Sequence, residues 1–108
     1  MPYSARHLAE PHTREAVDAL PGVAVLEFGT PWCPHCIGAQ PLFEQALQDL
    51  PHVPHIKVED GPGQRLGRSY KVKLWPTLVV LKNGQEVART VRPTTQTQVD
   101  EALAAARA

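Results

Sequence analysis

The chain reads as an α/β fold, a central mixed sheet of four to five strands flanked by helices on both faces. Three patterns predict it. Residues 23–28 (VAVLEF) are apolar at all but one position, as expected of a strand buried on both faces in a parallel sheet. Residues 34–50 then carry Ala39, Leu42, Phe43, Ala46, Leu47 and Leu50 at the i, i+3, i+4 spacing of a helix with one buried stripe. Finally, residues 77–82 (TLVVLK) run into Asn83-Gly84, a dipeptide favoured in two-residue hairpins because both central positions need φ > 0. Residues 85–91 should therefore return antiparallel, which makes the sheet mixed.

Taken in order, residues 3–8 give at most a short edge strand. Residues 13–20 place Ala16, Val17 and Leu20 at helical spacing before Pro21-Gly22 ends the run. The strand at 23–28 follows, then Gly29-Thr30-Pro31, which break regular structure. The helix at 34–50 contains Pro41, which removes one backbone donor and bends the axis. Residues 51–54 (PHVP) end it, and residues 55–59 alternate like a second strand. A loop at 60–63 leads to a short helix over 64–70, with Leu66 and Tyr70 at i, i+4. After the hairpin, Thr95 and Gln98 form a capping box. Val99, Ala102, Leu103 and Ala106 are the apolar face of the helix it starts. The order is (β)αβαβαββα.

With 108 residues, 43% of them hydrophobic, the chain is expected to form a single domain, 1–108. Eleven basic side chains balance eleven acidic ones, so no electrostatic case exists for nucleic acid or an anionic membrane. No apolar run approaches the roughly 18 residues of a membrane span. The first 22 residues lack the apolar core of a secretory signal, so a cytoplasmic address is expected. In a reducing compartment, a lone cysteine pair is more often catalytic or metal-binding than a permanent staple.

That pair, Cys33-Pro34-His35-Cys36, sits where a strand hands over to a helix. The first N–H groups of a helix lack intrahelical partners, and its dipole favours negative charge there. A thiolate at Cys33 is stabilised by both. Cys36, one turn on, comes within bonding reach, so the pair can close and open as a disulfide. Zinc is the competing reading, because His52-x2-His55 follows fifteen residues after Cys36. The histidine gap is shorter than usual, and the intervening helix, at ~1.5 Å per residue, carries the histidines far from the sulfurs. No metal and no cofactor are expected. His7, His12, His52 and His55 read as ordinary surface residues.

Several further features resemble the thioredoxin family at compatible spacings, over roughly the whole chain from Thr13 onward. Trp32 precedes the first cysteine, Glu27 lies six residues before it, and Pro41 five residues after the second. Lys57 falls on the next strand, followed by Trp75-Pro76-Thr77 and Lys82-Asn83-Gly84. The resemblance implies that the Cys33 thiolate, the more exposed of the two sulfurs, attacks a protein disulfide and that Cys36 resolves the mixed disulfide. Pro34 presets the first helical turn, where its missing N–H costs nothing. His35, if protonated, supports the Cys33 thiolate. Glu27, costly on a buried strand unless paired, would accept the Cys36 proton, with Lys57 as its partner. Pro76 resembles the family's cis-proline, holding the backbone of Trp75 toward the sulfurs, and Trp32, Trp75 and Arg92 flank the place where a substrate would lie.

The same resemblance implies a monomer served by a separate reductase such as thioredoxin reductase. The chain departs from the family's usual pattern in its Pro-His dipeptide, in Glu for Asp at position 27, in Gly29 for Trp, in Trp75 for Ile, and in Arg92-Pro93. Pro34-His35 resembles the bacterial periplasmic disulfide-forming oxidants and raises an oxidant or isomerase as an alternative to a reductase. A non-catalytic binding module is the third reading.

Overall fold

The computed structural model describes residues 13–105. Eight elements follow one another: α1 (Arg14–Asp18), β1 (Val23–Gly29), α2 (Pro34–Gln48), β2 (His55–Glu59), α3 (Arg65–Ser69), β3 (Thr77–Lys82), β4 (Gln85–Val91) and α4 (Gln96–Ala104). The edge strand expected at 3–8, and Ala106, lie outside the described residues. Every other element falls where the sequence places it, with ends that differ by a residue or two.

The strands form one four-stranded sheet ordered β2-β1-β3-β4 among the described residues. β1 pairs parallel with β2 and antiparallel with β3, and β3 pairs antiparallel with β4, so the sheet is mixed. The parallel pair needs a crossover, and α2 supplies it. Asn83 and Gly84 turn the β3–β4 hairpin with φ of 52° and 80°, the left-handed pair that favours this dipeptide. Gly84 is doubly constrained, because a Cβ there would collide with the backbone carbonyl of Asp18 at the end of α1.

Alternation along β1 sends successive side chains to opposite faces. Val25 joins Ala39, Phe43 and Leu47 of α2 and Val99 and Leu103 of α4 in one core. Leu26 and Phe28 point the other way, into a core with Val17 of α1 and Leu66 and Tyr70 around α3. Two residues on from Val25, Glu27 faces α2.

The helix starts are capped as their residues predict. Thr13 Oγ1 accepts the Ala16 N–H at 3.0 Å, and Thr95 with Gln98 forms the full capping box of α4. Pro41 is accommodated inside α2 without ending it.

Candidate active site

Cys33 is the N-cap of α2, in an extended conformation (φ −73°, ψ 122°), with Pro34 opening the first turn. Its Sγ accepts the Cys36 N–H at 3.4 Å. The two cysteines are unbridged, and both are largely covered: Cys33 is 5% exposed and Cys36 2%. The contrast in exposure expected from the sequence is therefore small, and electrostatics separates the two sulfurs instead. Burial alone would raise the Cys33 thiol. It is outweighed by the Cys36 thiol, by the backbone N–H groups of Cys36 and His35 and by the charge of Arg92, so the net direction is down. Burial pushes the Cys36 thiol up to about 12, against a lowering bond from the Thr30 backbone, and the charges of Cys33 and Glu27 add to the rise. One thiol is shifted toward ionisation, its neighbour away from it. His35 contributes its N–H to this arrangement, while its side chain is exposed.

Around the sulfurs lies an apolar rim. Trp32 is 68% exposed and Ile37 57%, and the Trp32 ring meets Trp75 edge-on with centroids 5.9 Å apart. The Trp75–Pro76 peptide bond is cis, as expected, and Pro76 is buried. Two contacts on Trp75 are not visible in the sequence. Its Nε1 donates to Asp60 Oδ2 at 2.8 Å, and its carbonyl accepts Arg92 Nε at 2.8 Å. Arg92 is held there in a left-handed conformation (φ 47°), its own N–H donating to the Pro76 carbonyl at 2.9 Å.

Beneath Cys36 sits a buried polar cluster, and it corrects two sequence expectations. Glu27 and His55 are both fully buried at the side chain, with His55 Nε2 and Glu27 Oε1 2.9 Å apart. His55 is thus no surface residue. In the parallel register its Cα sits opposite Val25, which aims its ring at the same face as Glu27. Lys57, opposite Glu27 in that register, is buried as well, but its Nζ donates to Gln40 Oε1 at 2.8 Å. The Gln40 amide nitrogen in turn donates to Glu27 Oε2 at 2.8 Å and to the Cys36 carbonyl at 2.9 Å. Gln40 therefore ties α2 to the carboxylate and to the ammonium. The hydrogen-bonding neighbours of Glu27 are His55 and Gln40, where the sequence suggests Lys57.

A cleft of about 710 Å³ opens onto this cluster, lined by Thr30, Cys36, Ile37, Gln40 and Lys57 among others. Thr30 is 2% exposed, and among the described residues its Oγ1 has no hydrogen-bond partner. Of the paired histidines weighed as zinc ligands, His55 is committed to Glu27 and His52 is exposed.

The thioredoxin family model matches residues 6–105. The chain belongs to the thioredoxin family. A curated thioredoxin of Chlamydia trachomatis is 36% identical over 70 residues, which are 65% of this chain and 69% of that protein. The solved structure of thioredoxin 2 from Pseudomonas aeruginosa PAO1 in its reduced form is 50% identical, covers 97% of this chain and 98% of its own, and superposes with a TM-score of 0.86. Protein disulfide-isomerase A3 of Gallus gallus is 36% identical over 67 residues, 61% of this chain but 13% of that protein. As a thioredoxin-family member the chain is a protein-disulfide oxidoreductase, acting on protein disulfides and drawing on a reductase. Among the described residues no helix is long and apolar enough to cross a membrane.

Proposed function

We propose that the chain is a reductant of protein disulfides in the cytoplasm, acting as a single-domain monomer, with Cys33 as nucleophile and Cys36 as resolving thiol. The Cys33 thiolate attacks one sulfur of a substrate disulfide, whose S–S bond breaks and releases a thiolate. Cys36 then loses its proton and attacks the Cys33 sulfur, expelling the second substrate thiolate and leaving the Cys33–Cys36 disulfide. Two electrons pass to the substrate, and a separate reductase such as thioredoxin reductase restores the dithiol. The observation that carries this reading is the opposite setting of two neighbouring thiols at one helix start.

In the same reading Glu27 takes up the Cys36 proton, with Lys57 balancing charge through Gln40. Trp32, Pro34, Trp75 and Pro76 form the surface on which an extended substrate segment lies, and Arg92 borders it. Insulin reduction with a dithiol donor tests the assignment. Turnover is expected in the wild type and absent in Cys33→Ser, while Cys36→Ser traps a mixed disulfide; turnover retained without Cys33 would remove it from its role.

The alternative is an oxidant or isomerase, favoured by Pro34-His35 and by the similarity to protein disulfide-isomerase A3. A protonated His35 would stabilise the dithiol and make the disulfide more oxidising, 30 mV corresponding to about 1.4 kcal/mol for this couple. Replacing His35 by Gly or Pro then lowers the potential, and an unchanged potential would leave the histidine a bystander. A binding module, the third reading, predicts partner capture by Cys33→Ser as good as by wild type.

A further inference from the structure

The Glu27 carboxylate has two oxygens and two different neighbours. Gln40 fills Oε2, whereas Oε1 faces the imidazole Nε2 of His55 at 2.9 Å, in a pair with no solvent exposure on either side chain. A carboxylate and an imidazole in contact hold a proton at either atom, and imidazole is the side chain whose charge changes near neutral pH.

The titratable groups around this pair come from β2 and from α2 with its N-cap. They are Lys57 on β2, bound to Gln40; Cys36 and, farther along the cleft wall, Glu44 on α2; and Cys33 at the helix start. Of these, the Lys57 ammonium is linked to the Glu27 carboxylate through Gln40 and is of opposite charge. When Cys36 ionises to attack the mixed disulfide, an extra negative charge appears in this covered space. It is tolerated only if its proton stays nearby or leaves by the cleft.

We infer that His55 is a positioning residue for the resolving step, sharing through the Glu27 carboxylate the proton that Cys36 gives up. The step balances. The Cys36 thiol proton passes to the Glu27–His55 pair, the Cys36 thiolate forms a bond to the Cys33 sulfur, and the Cys33–substrate S–S bond breaks with its electron pair on the substrate thiolate. The proton then returns to solvent or to that thiolate. Gln40, bonded to both Glu27 and the Cys36 carbonyl, ties the carboxylate to the helical turn that carries Cys36. This inference rests on the nucleophile and resolving roles proposed above.

The test follows the mixed disulfide by acid quench and mass spectrometry after reduced protein meets a disulfide substrate, between pH 5 and 9. Its rise reports Cys33 and its decay reports Cys36. For His55→Gln the ratio of decay to rise at pH 7 is expected to fall at least tenfold, within the range of general acid–base effects, and the pH dependence of decay to shift. An unchanged ratio and profile overturns the role of His55, whereas wild type that reduces none of the substrate disulfide overturns the functional reading itself. Should His55→Gln fail to fold, the wild type answers alone. The 15N ring resonances of His55 must titrate differently in the dithiol and disulfide forms, and coincident curves would overturn the inference.

Discussion

Arg92 offers a perturbation whose two consequences separate. Its backbone sits at φ 47°, a conformation that costs a non-glycine residue roughly 1 kcal/mol. Its side chain returns a hydrogen bond to the Trp75 carbonyl, worth about 1 kcal/mol net. In Arg92→Gly the strain is relieved and the bond is lost, so stability is expected to change by no more than about 1 kcal/mol, or roughly 8 °C in Tm for a domain this size. Reactivity should not be neutral. The guanidinium is one of the contributions that lower the Cys33 thiol, so its removal moves the thiol back up. An exposed charge interaction of ~0.2–1 kcal/mol corresponds to at most about a fivefold drop in Cys33 alkylation below the midpoint of its pH profile. Thermal melting and iodoacetamide kinetics on the same preparation read the two effects. A profile that stays in place or moves to lower pH would refute the electrostatic role, and a fall in Tm well beyond 10 °C would refute the offset between strain and hydrogen bond.

Gly84→Ala forces a Cβ into the Asp18 carbonyl at φ 80°, and urea unfolding should show a loss of at least about 2 kcal/mol. The two thiols also bend the stability of the reduced form against pH, in opposite senses. Cys33, lowered in the folded state, adds stability as pH rises through its folded value toward the ordinary thiol value of about 8.5. Cys36, raised to about 12, contributes stability that is present below about 8.5 and is lost as pH climbs from there. The Tm of the reduced form relative to the disulfide form is thus expected to peak near pH 8.5, and a monotonic difference between pH 6 and 10 would contradict the assignment.

What the sequence reveals here depends on how local the cause is. Strand β1, helix α2 and the Asn83-Gly84 turn each follow from a period or a dipeptide within a few residues, and each appears where expected. The placement of Cys33 at the helix start is equally local. The contacts that tune the site are not. His55 follows Pro54 at the start of β2, and nothing in its immediate neighbours indicates burial. Its pairing with Glu27 comes from the parallel register of two strands separated by a whole helix. The same register puts Lys57 opposite Glu27, but Gln40, reaching down from α2, takes the ammonium. Asp60 meets the Trp75 indole across 15 residues, and no pattern in the chain announces it. The one available signal was Glu27 itself: an acid in an otherwise apolar strand requires polar partners, and the polar residues of the adjoining strand, His55 as well as Lys57, were the ones to weigh.

The central claim is that one helix start makes neighbouring sulfurs unlike. Alkylation of the fully reduced protein across pH, with the modified residue identified by peptide mass, measures this directly. The account predicts that Cys33 is labelled first, with a midpoint below the ordinary thiol value of about 8.5, while Cys36 stays unlabelled until far more alkaline solution. Labelling of Cys36 first, or of both with the same ordinary midpoint, would contradict it.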